Sequence, residues 1–253
     1  MLANLGVRMI VNFYDRCDEV WTVSQSSAET LHDYGYEGEI VVMPNGTPDV
    51  APCEKYRVIA RERFRLPEEN VLMYCGQLNW KKNIQRILEA CALLKRRGAA
   101  FTLLLAGQGP DRAAIAEKAA ELGIGDRVVF SGHITEEDVL YGLYETASLF
   151  VFPSLYDTSG LVVREAAAME TPSVVVRGSA AAEPIVDGQN GFLCADNAAD
   201  LAAVIRRALD DPARTREMGA AARRSIYLSW DVIADRAIER YTDLIERKKA
   251  EGR

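Results

Sequence analysis

Val71-Leu72-Met73-Tyr74-Cys75-Gly76-Gln77-Leu78-Asn79-Trp80-Lys81-Lys82-Asn83 decides the fold. The run Val71–Cys75 is continuously apolar, the pattern of a parallel strand covered on both faces. It stops at Gly76. Over residues 83–95 the apolar positions Ile84, Ile87, Leu88, Cys91 and Leu94 recur at three-and-four spacing, which makes one buried stripe of a helix. The same strand, turn and helix recur along the chain, with further strands expected at 19–23, 40–43, 101–106, 128–131, 149–152, 173–176 and 191–194. Alternating units of this kind specify an α/β protein with a doubly wound parallel sheet. Ligands of such sheets sit at the carboxyl ends of the strands.

Composition narrows the function. The 253 residues carry 30 Lys+Arg against 37 Asp+Glu, a net charge of −7 that opposes a general nucleic-acid binder. A chain this long buries a core without disulfides or a structural metal. Its five cysteines are scattered with no Cys-x-x-Cys, and two histidines cannot complete a zinc pattern. Reduced, mostly buried thiols in a cytoplasmic protein are expected. No apolar run approaches the roughly 18 residues of a membrane helix. Two segments stand apart. Residues 1–38 read as a helix–strand–helix piece without a sheet of its own. Residues 230–249 read as one amphipathic helix, with Val232, Ile233, Ala237, Tyr241, Leu244 and Ile245 inward.

Four strand-end segments could carry chemistry. In Pro153-Ser154-Leu155-Tyr156-Asp157-Thr158-Ser159-Gly160-Leu161-Val162-Val163-Arg164-Glu165-Ala166, an apolar strand ends and Ser159-Gly160 opens a helix. Free N–H groups at a helix start suit a phosphate. Glu165 sits among Val162, Val163, Ala166 and Ala168, so its carboxylate needs partners, which the vicinal hydroxyls of a ribose would supply. From spacing alone, a solvated helix Glu with a loop Asp that caps the helix is the favoured reading. Gly76 to Asn83 is not a Walker loop, and Lys81 or Lys82 near a helix start is placed better beside a phosphate than against the dipole, although taken alone a surface lysine is the favoured reading. Gly107-Gln108-Gly109-Pro110-Asp111 allows close backbone approach, with Pro110 suited to a first helical position, but Arg112 stands where a dinucleotide fingerprint has its third glycine. Val176-Arg177-Gly178-Ser179-Ala180-Ala181-Ala182-Glu183 reads as another strand, glycine turn and helix. No Asp-x-Asp marks a divalent metal, and none is expected.

Taken in order, these pieces resemble the C-terminal, Rossmann-like half of a GT-B glycosyltransferase of family 4, the group 1 retaining transferases. The likeness runs over residues 20–230: Val23-Ser24 leading to Leu31, the turn Pro44-Asn45-Gly46, Gly76-Gln77-Leu78 with Lys82, and Gly107-Gln108-Gly109-Pro110. It continues through Arg127-Val128, Phe130 and Gly132, the region from Pro153-Ser154 to Glu165-Ala166, and Asp187-Gly188-Gln189-Asn190-Gly191. Two positions depart from the family pattern. Gln77 replaces an Arg, and Asp157 replaces the first Glu of Glu-x7-Glu. The stretches 154–160 and 178–183 are similar to a bacterial subgroup that includes diacylglycerol glucosyltransferases.

The resemblance implies transfer of a sugar from a nucleotide-diphosphate sugar, a UDP-sugar by preference, with retention and no cofactor. It assigns catalytic roles to Lys82, Asp157 and Glu165: Lys82 offsets diphosphate charge, Asp157 holds a sugar hydroxyl, and Glu165 holds the ribose. Gly76, Gln77, Gly107 and the N–H groups of Ser159, Gly160 and Leu161 complete the donor site, with the His133-Ile134 backbone at the base edge. It also implies a division into 1–38, the end of an N-terminal acceptor domain; 39–228, the donor-binding domain; and 229–253, a crossover helix. The chain alone is then expected to be inactive, with a lipid or glycan acceptor and any attachment to the inner membrane face belonging to the N-terminal domain. The apolar faces of the first helix (Leu5, Met9, Ile10, Phe13) and the last (Ile238, Tyr241, Leu244, Ile245) are expected to lose cover and to favour self-association. A non-catalytic nucleotide-sugar-binding module, or a subunit needing a separate acceptor domain, is the alternative. A related GT-B sugar-nucleotide epimerase comes third.

Overall fold

The computed structural model describes residues 2–252, and their side chains from residue 6 onward, so the Leu5 side chain lies outside the described residues. The chain divides into two units, Val50–Tyr227 and the two ends, Met1–Asp49 with Leu228–Arg253.

The first unit begins with α1 (Leu2–Tyr14), β1 (Val20–Thr22), α2 (Gln25–Asp33) and β2 (Ile40–Val42). Ser24 caps α2 through its hydroxyl, which accepts from the Ser27 N–H at 3.1 Å, and Leu31 is buried on the inner face. The Val-Ser…Leu motif is thus a helix start and its anchor. β1 pairs with β2 in a small parallel sheet. β1 finds its partner in β2, just beyond residue 38, and the unit of the chain ends runs on to Asp49.

The second unit holds α3 (Glu54–Phe64), β3 (Val71–Cys75), α4 (Ile84–Arg96), β4 (Thr102–Ala106), α5 (Arg112–Glu121), β5 (Val128–Gly132) and α6 (Glu137–Thr146). It continues with β6 (Leu149–Phe152), α7 (Leu161–Ala168), β7 (Ser173–Val176), β8 (Phe192–Cys194), α8 (Ala198–Asp210) and α9 (Pro212–Ser225). Its strands form one parallel sheet in the order β5-β4-β3-β6-β7-β8. Within the unit that is the 3-2-1-4-5-6 order of a doubly wound sheet. The order reverses between β3 and β6, and a crevice opens where their carboxyl ends diverge. Helices cover both faces, α4 packing with α5 and α8 while α6 packs with α3 and α7. Leu72, Met73, Tyr74, Leu103, Leu104 and Phe150 are wholly buried between them.

Two expectations change here. Residues 180–182 make only a single 3-10 turn, not a helix, and α5 starts at Arg112, beyond Pro110. Of the thiols only Cys91 and Cys194 are buried, Cys53 and Cys75 are partly covered, and Cys17 is exposed.

The last helix, α10 (Trp230–Ala250), returns to the first unit. Thr47 receives its start, with Thr47 N–H donating to the Leu228 carbonyl at 2.9 Å and Trp230 N–H to the Thr47 carbonyl at 3.0 Å. The Pro-Asn-Gly turn just before Thr47 therefore serves to dock this helix. Only Ile233 of α10 is buried, and Tyr241 and Ile245 are 58% and 53% exposed. The expected inward stripe does not form, because a helix about 30 Å long outruns a sheet of two short strands. Among the described residues no helix is long and apolar enough to cross a membrane.

Candidate functional site

Backbone hydrogen bonds tie three strand-end loops into one platform. Gly76 N–H donates to the Ala106 carbonyl (2.9 Å), Leu78 N–H to Gln108 (3.0 Å), Gly107 N–H to Gly132 (2.9 Å) and Asp111 N–H back to Leu78 (3.1 Å). The Asp111 carboxylate adds a bond from the Trp80 N–H at 2.9 Å. Gly107 has φ 134°, and a Cβ there would lie 2.0 Å from the Gly76 carbonyl oxygen. The glycine of the Gly-Gln-Gly-Pro motif is required by the neighbouring loop itself.

On this platform Gly76, Gln77, Gly107, His133, Ile134 and Glu165 line one cleft of about 390 Å³. Cys75, Leu140 and Val162 give it an apolar floor. The placement follows from the sheet: the residues come from the ends of β3, β4 and β5 and from α7, which springs from β6. Gln77 is exposed and accepts from the Asn79 side-chain amide at 2.6 Å.

The other candidates gather at the start of α7. Gly160 caps it in the left-handed conformation, φ 58°. One Asp157 oxygen accepts from the Gly160 N–H at 3.0 Å and the Ser159 N–H at 3.4 Å. The other meets Lys82 Nζ at 3.0 Å. Lys82 also donates to the Tyr156 carbonyl at 3.2 Å, whereas Lys81 is exposed. Burial alone would raise the Asp157 pKa, but Lys82 and the two N–H groups outweigh it and hold the carboxyl below the ordinary Asp value. Asp157 therefore occupies the N–H groups and the ammonium that the sequence assigned to a diphosphate. Both N–H groups lie in the turn ahead of α7, whose start at Gly160 carries no side-chain cap, so Asp157 orders that turn and does not cap the helix.

Glu165 is different. It lies in the second turn of α7, and its Oε2 accepts from the Tyr144 hydroxyl at 2.7 Å. Burial pushes its carboxyl above the usual Glu value, an effect the Tyr144 bond only partly offsets. Half-buried and bonded, Glu165 differs from a freely solvated helix Glu. Asn83, which ends the Lys82 turn, donates to the Pro153 carbonyl at 3.0 Å and to Asp196 at 2.8 Å, fastening the Lys82 loop to the β6 loop.

Sequence reasoning missed Tyr144, Asn83, Asp196 and the role of Asp111. Asp111 and Asn83 each end a quoted motif, so a signal existed. Tyr144 lies on another helix and had none. The quoted motif Asp187–Gly191 proved to be scaffolding: Asn190 is buried and bonds to Val186, Pro184 and Ser225, and Asp187 takes the Leu193 N–H and Arg177. A larger cavity, about 690 Å³, lies in the first unit beside Trp21, Tyr241 and Lys248, and holds none of the candidate residues.

Residues 58–225 match the family model "Glycosyl transferases group 1". Glycogen synthase of Mycobacterium tuberculosis is 32% identical over 88% of this chain and 54% of its own length. The chain thus spans about half the length of the curated relatives it matches. An Anabaena HepE structure in complex with UDP and glucose superposes with a TM-score of 0.83 at 21% identity, covering 94% of this chain and 67% of that one. The C-terminal domain of a Francisella tularensis group 1 family protein aligns over 72% of this chain and 96% of its own, with a TM-score of 0.63 at 19% identity. The last two likenesses concern the fold: an α/β unit of the GT-B kind. On the family match and the identity to its curated relatives, the chain belongs to the group 1 glycosyltransferases.

Proposed function

We propose that the chain binds the donor of a retaining glycosyl transfer, a nucleotide-diphosphate sugar with UDP as the favoured nucleotide, and that catalysis needs an acceptor domain besides it. The observation that carries this is the meeting of Lys82 and the α7 N-terminus at the point where the strand order reverses. The diphosphate takes over from the Asp157 carboxylate there, accepting from Lys82 and from the N–H groups of Ser159, Gly160 and Leu161. Asp157, so released, is free to turn to a sugar hydroxyl. Glu165 receives the ribose, and the His133-Ile134 backbone meets the base. As the sugar–phosphate bond breaks, charge grows on the leaving diphosphate, and a fixed ammonium with helix N–H groups stabilises it. Positioning of the acceptor is a large part of such a rate and comes from elsewhere. The acceptor is a lipid or a glycan, no metal or cofactor takes part, and the site of action is the cytoplasm, at the inner membrane face where the acceptor is a lipid.

A non-catalytic binding module is the second reading. Gln77 favours it, since a side chain engaged with Asn79 stands where the family resemblance places a cation. Calorimetric titration with UDP, GDP and ADP and their sugars tests both. Lys82→Ala should weaken nucleoside diphosphate about tenfold while leaving nucleoside nearly unchanged. Equal losses for both ligands would remove Lys82 from the diphosphate. Sugar transfer by this chain without added protein would overturn the need for an acceptor domain.

A further inference from the structure

Tyr144 stands on α6, fully buried, its ring tilted against Phe150 with centroids 5.4 Å apart. Packing asks only for the ring, and Phe would fill that space without a hydroxyl to satisfy. The hydroxyl is nevertheless present: it bonds to the one carboxylate of the cleft, Glu165, at 2.7 Å, and also meets the Cys75 thiol. A bond from a buried phenol to a carboxylate is charge-assisted and geometrically demanding. A Glu side chain has three rotatable bonds and loses considerable entropy when ordered, so a free Glu165 would meet a ligand in many orientations. With Oε2 held by Tyr144, the plane of the carboxylate is set before any ligand arrives, and Oε1 remains to accept from it.

We propose that Tyr144 is a positioning residue for Glu165, its hydroxyl fixing the carboxylate that receives the hydroxyls of the nucleotide's ribose. The inference rests on the reading of Glu165 as the ribose ligand. Cys75 at the end of β3 and Tyr141 on α6 also face Glu165. Burial pushes the Cys75 thiol up to about 11 and the Tyr141 phenol up to about 12, so both stay neutral at ordinary pH. The remaining neighbour on the cleft is His133, which a parallel His133→Gln series controls.

The test is calorimetric titration of the whole chain with UDP and with 2′-deoxy-UDP, as wild type, Tyr144→Phe and Glu165→Gln, between pH 5 and 8. The readout is the ratio of the two affinities, in which phosphate titration and base contacts cancel. Wild type should prefer UDP by about tenfold, one charge-assisted hydrogen bond. Tyr144→Phe should bring the ratio down to about threefold, leave 2′-deoxy-UDP affinity nearly unchanged, and move the pH midpoint of the ratio upward. The upward direction follows because the Tyr144 bond lowers the Glu165 pKa and its loss lets burial act alone. A ratio lost in Glu165→Gln but intact in Tyr144→Phe overturns the positioning role alone. Equal loss for both nucleotides in Tyr144→Phe makes the hydroxyl structural and overturns it too. No preference for UDP in the wild type removes the ribose reading, and the inference with it.

Discussion

The two units are built from the same kinds of element and differ in how far they are closed. In Val50–Tyr227, helices cover both faces of a six-stranded sheet, and Ile84, Ile87, Leu88 and Cys91 of α4 are wholly buried. In the unit of the two chain ends, the buried cluster is Val20, Leu31 and Tyr36 on a two-stranded sheet. There Met9 and Phe13 of α1 are 66% and 65% exposed, and Ile238 of α10 is 62% exposed. Apolar periodicity names the side a helix would bury, but covering that side takes a surface of matching size. The second unit supplies one. What holds α10 in the first unit is largely charge: Glu19, with a side chain only 5% exposed, is met by Arg240, by Arg247 at 3.6 Å and by the Trp21 indole N–H at 2.9 Å.

The largest expected effect breaks the closed unit. Gly107→Val should cost about 4 kcal/mol or more, since it adds a left-handed β-branched residue and a collision with the Gly76 carbonyl. Gly35→Ala in the open unit, at φ 97° with empty space around it, should cost about 1 kcal/mol, the backbone term alone. Urea denaturation of the two variants measures both, and similar losses would show that the loop platform is not tightly packed.

Arg240→Ala comes next, and acts on the first unit. Removing a main partner of a buried carboxylate should cost about 2 kcal/mol, less than for a fully enclosed pair because Arg247 and Trp21 remain. Hydrogen exchange should show the loss in α10 and leave β3 and β4 protected. Loss of protection in β3 would mean that the two units unfold together.

The smallest effects separate the two carboxylates of the site by sign. The Asp157 pKa lies below its unfolded value, so its contribution is present above the ordinary Asp range and fades as pH falls through the folded value. Asp157→Asn should therefore cost about 1 kcal/mol at pH 7, and the difference should shrink as pH falls below the ordinary Asp range. The Glu165 pKa lies above its unfolded value, so the stability linked to it is complete at low pH and is lost as pH rises through the folded value. Glu165→Gln should then be more stable than wild type at pH 7 and equal to it near pH 4. Thermal melts against pH check both, and a destabilised Glu165→Gln at pH 7 would contradict the burial argument.

Much of this was legible in the sequence, and unevenly. β3, β6 and β7 stand where continuous apolar runs put them, because strands covered on both faces have no polar alternation to blur their ends. The Lys82 and Glu165 motifs could be located because a doubly wound sheet gathers its loops at one end. The Asp157–Lys82 pair was not legible, since nothing in two loops 75 residues apart says that one will neutralise the other. Nor was the Tyr144 bond, which depends on α6 lying beside α7. The inward stripe of α10 was overread, because periodicity does not report how much surface waits to receive it.

Hydrogen exchange of the whole chain with and without saturating UDP tests the central claim most directly, because each unit holds a cavity and the claim chooses one. New protection should appear at residues 76–82, at 107–109 and 133–134, and at the start of α7, with α1, β1 and α10 unchanged. Protection confined to Trp21 and the end of α10, or none at the start of α7, would contradict the account.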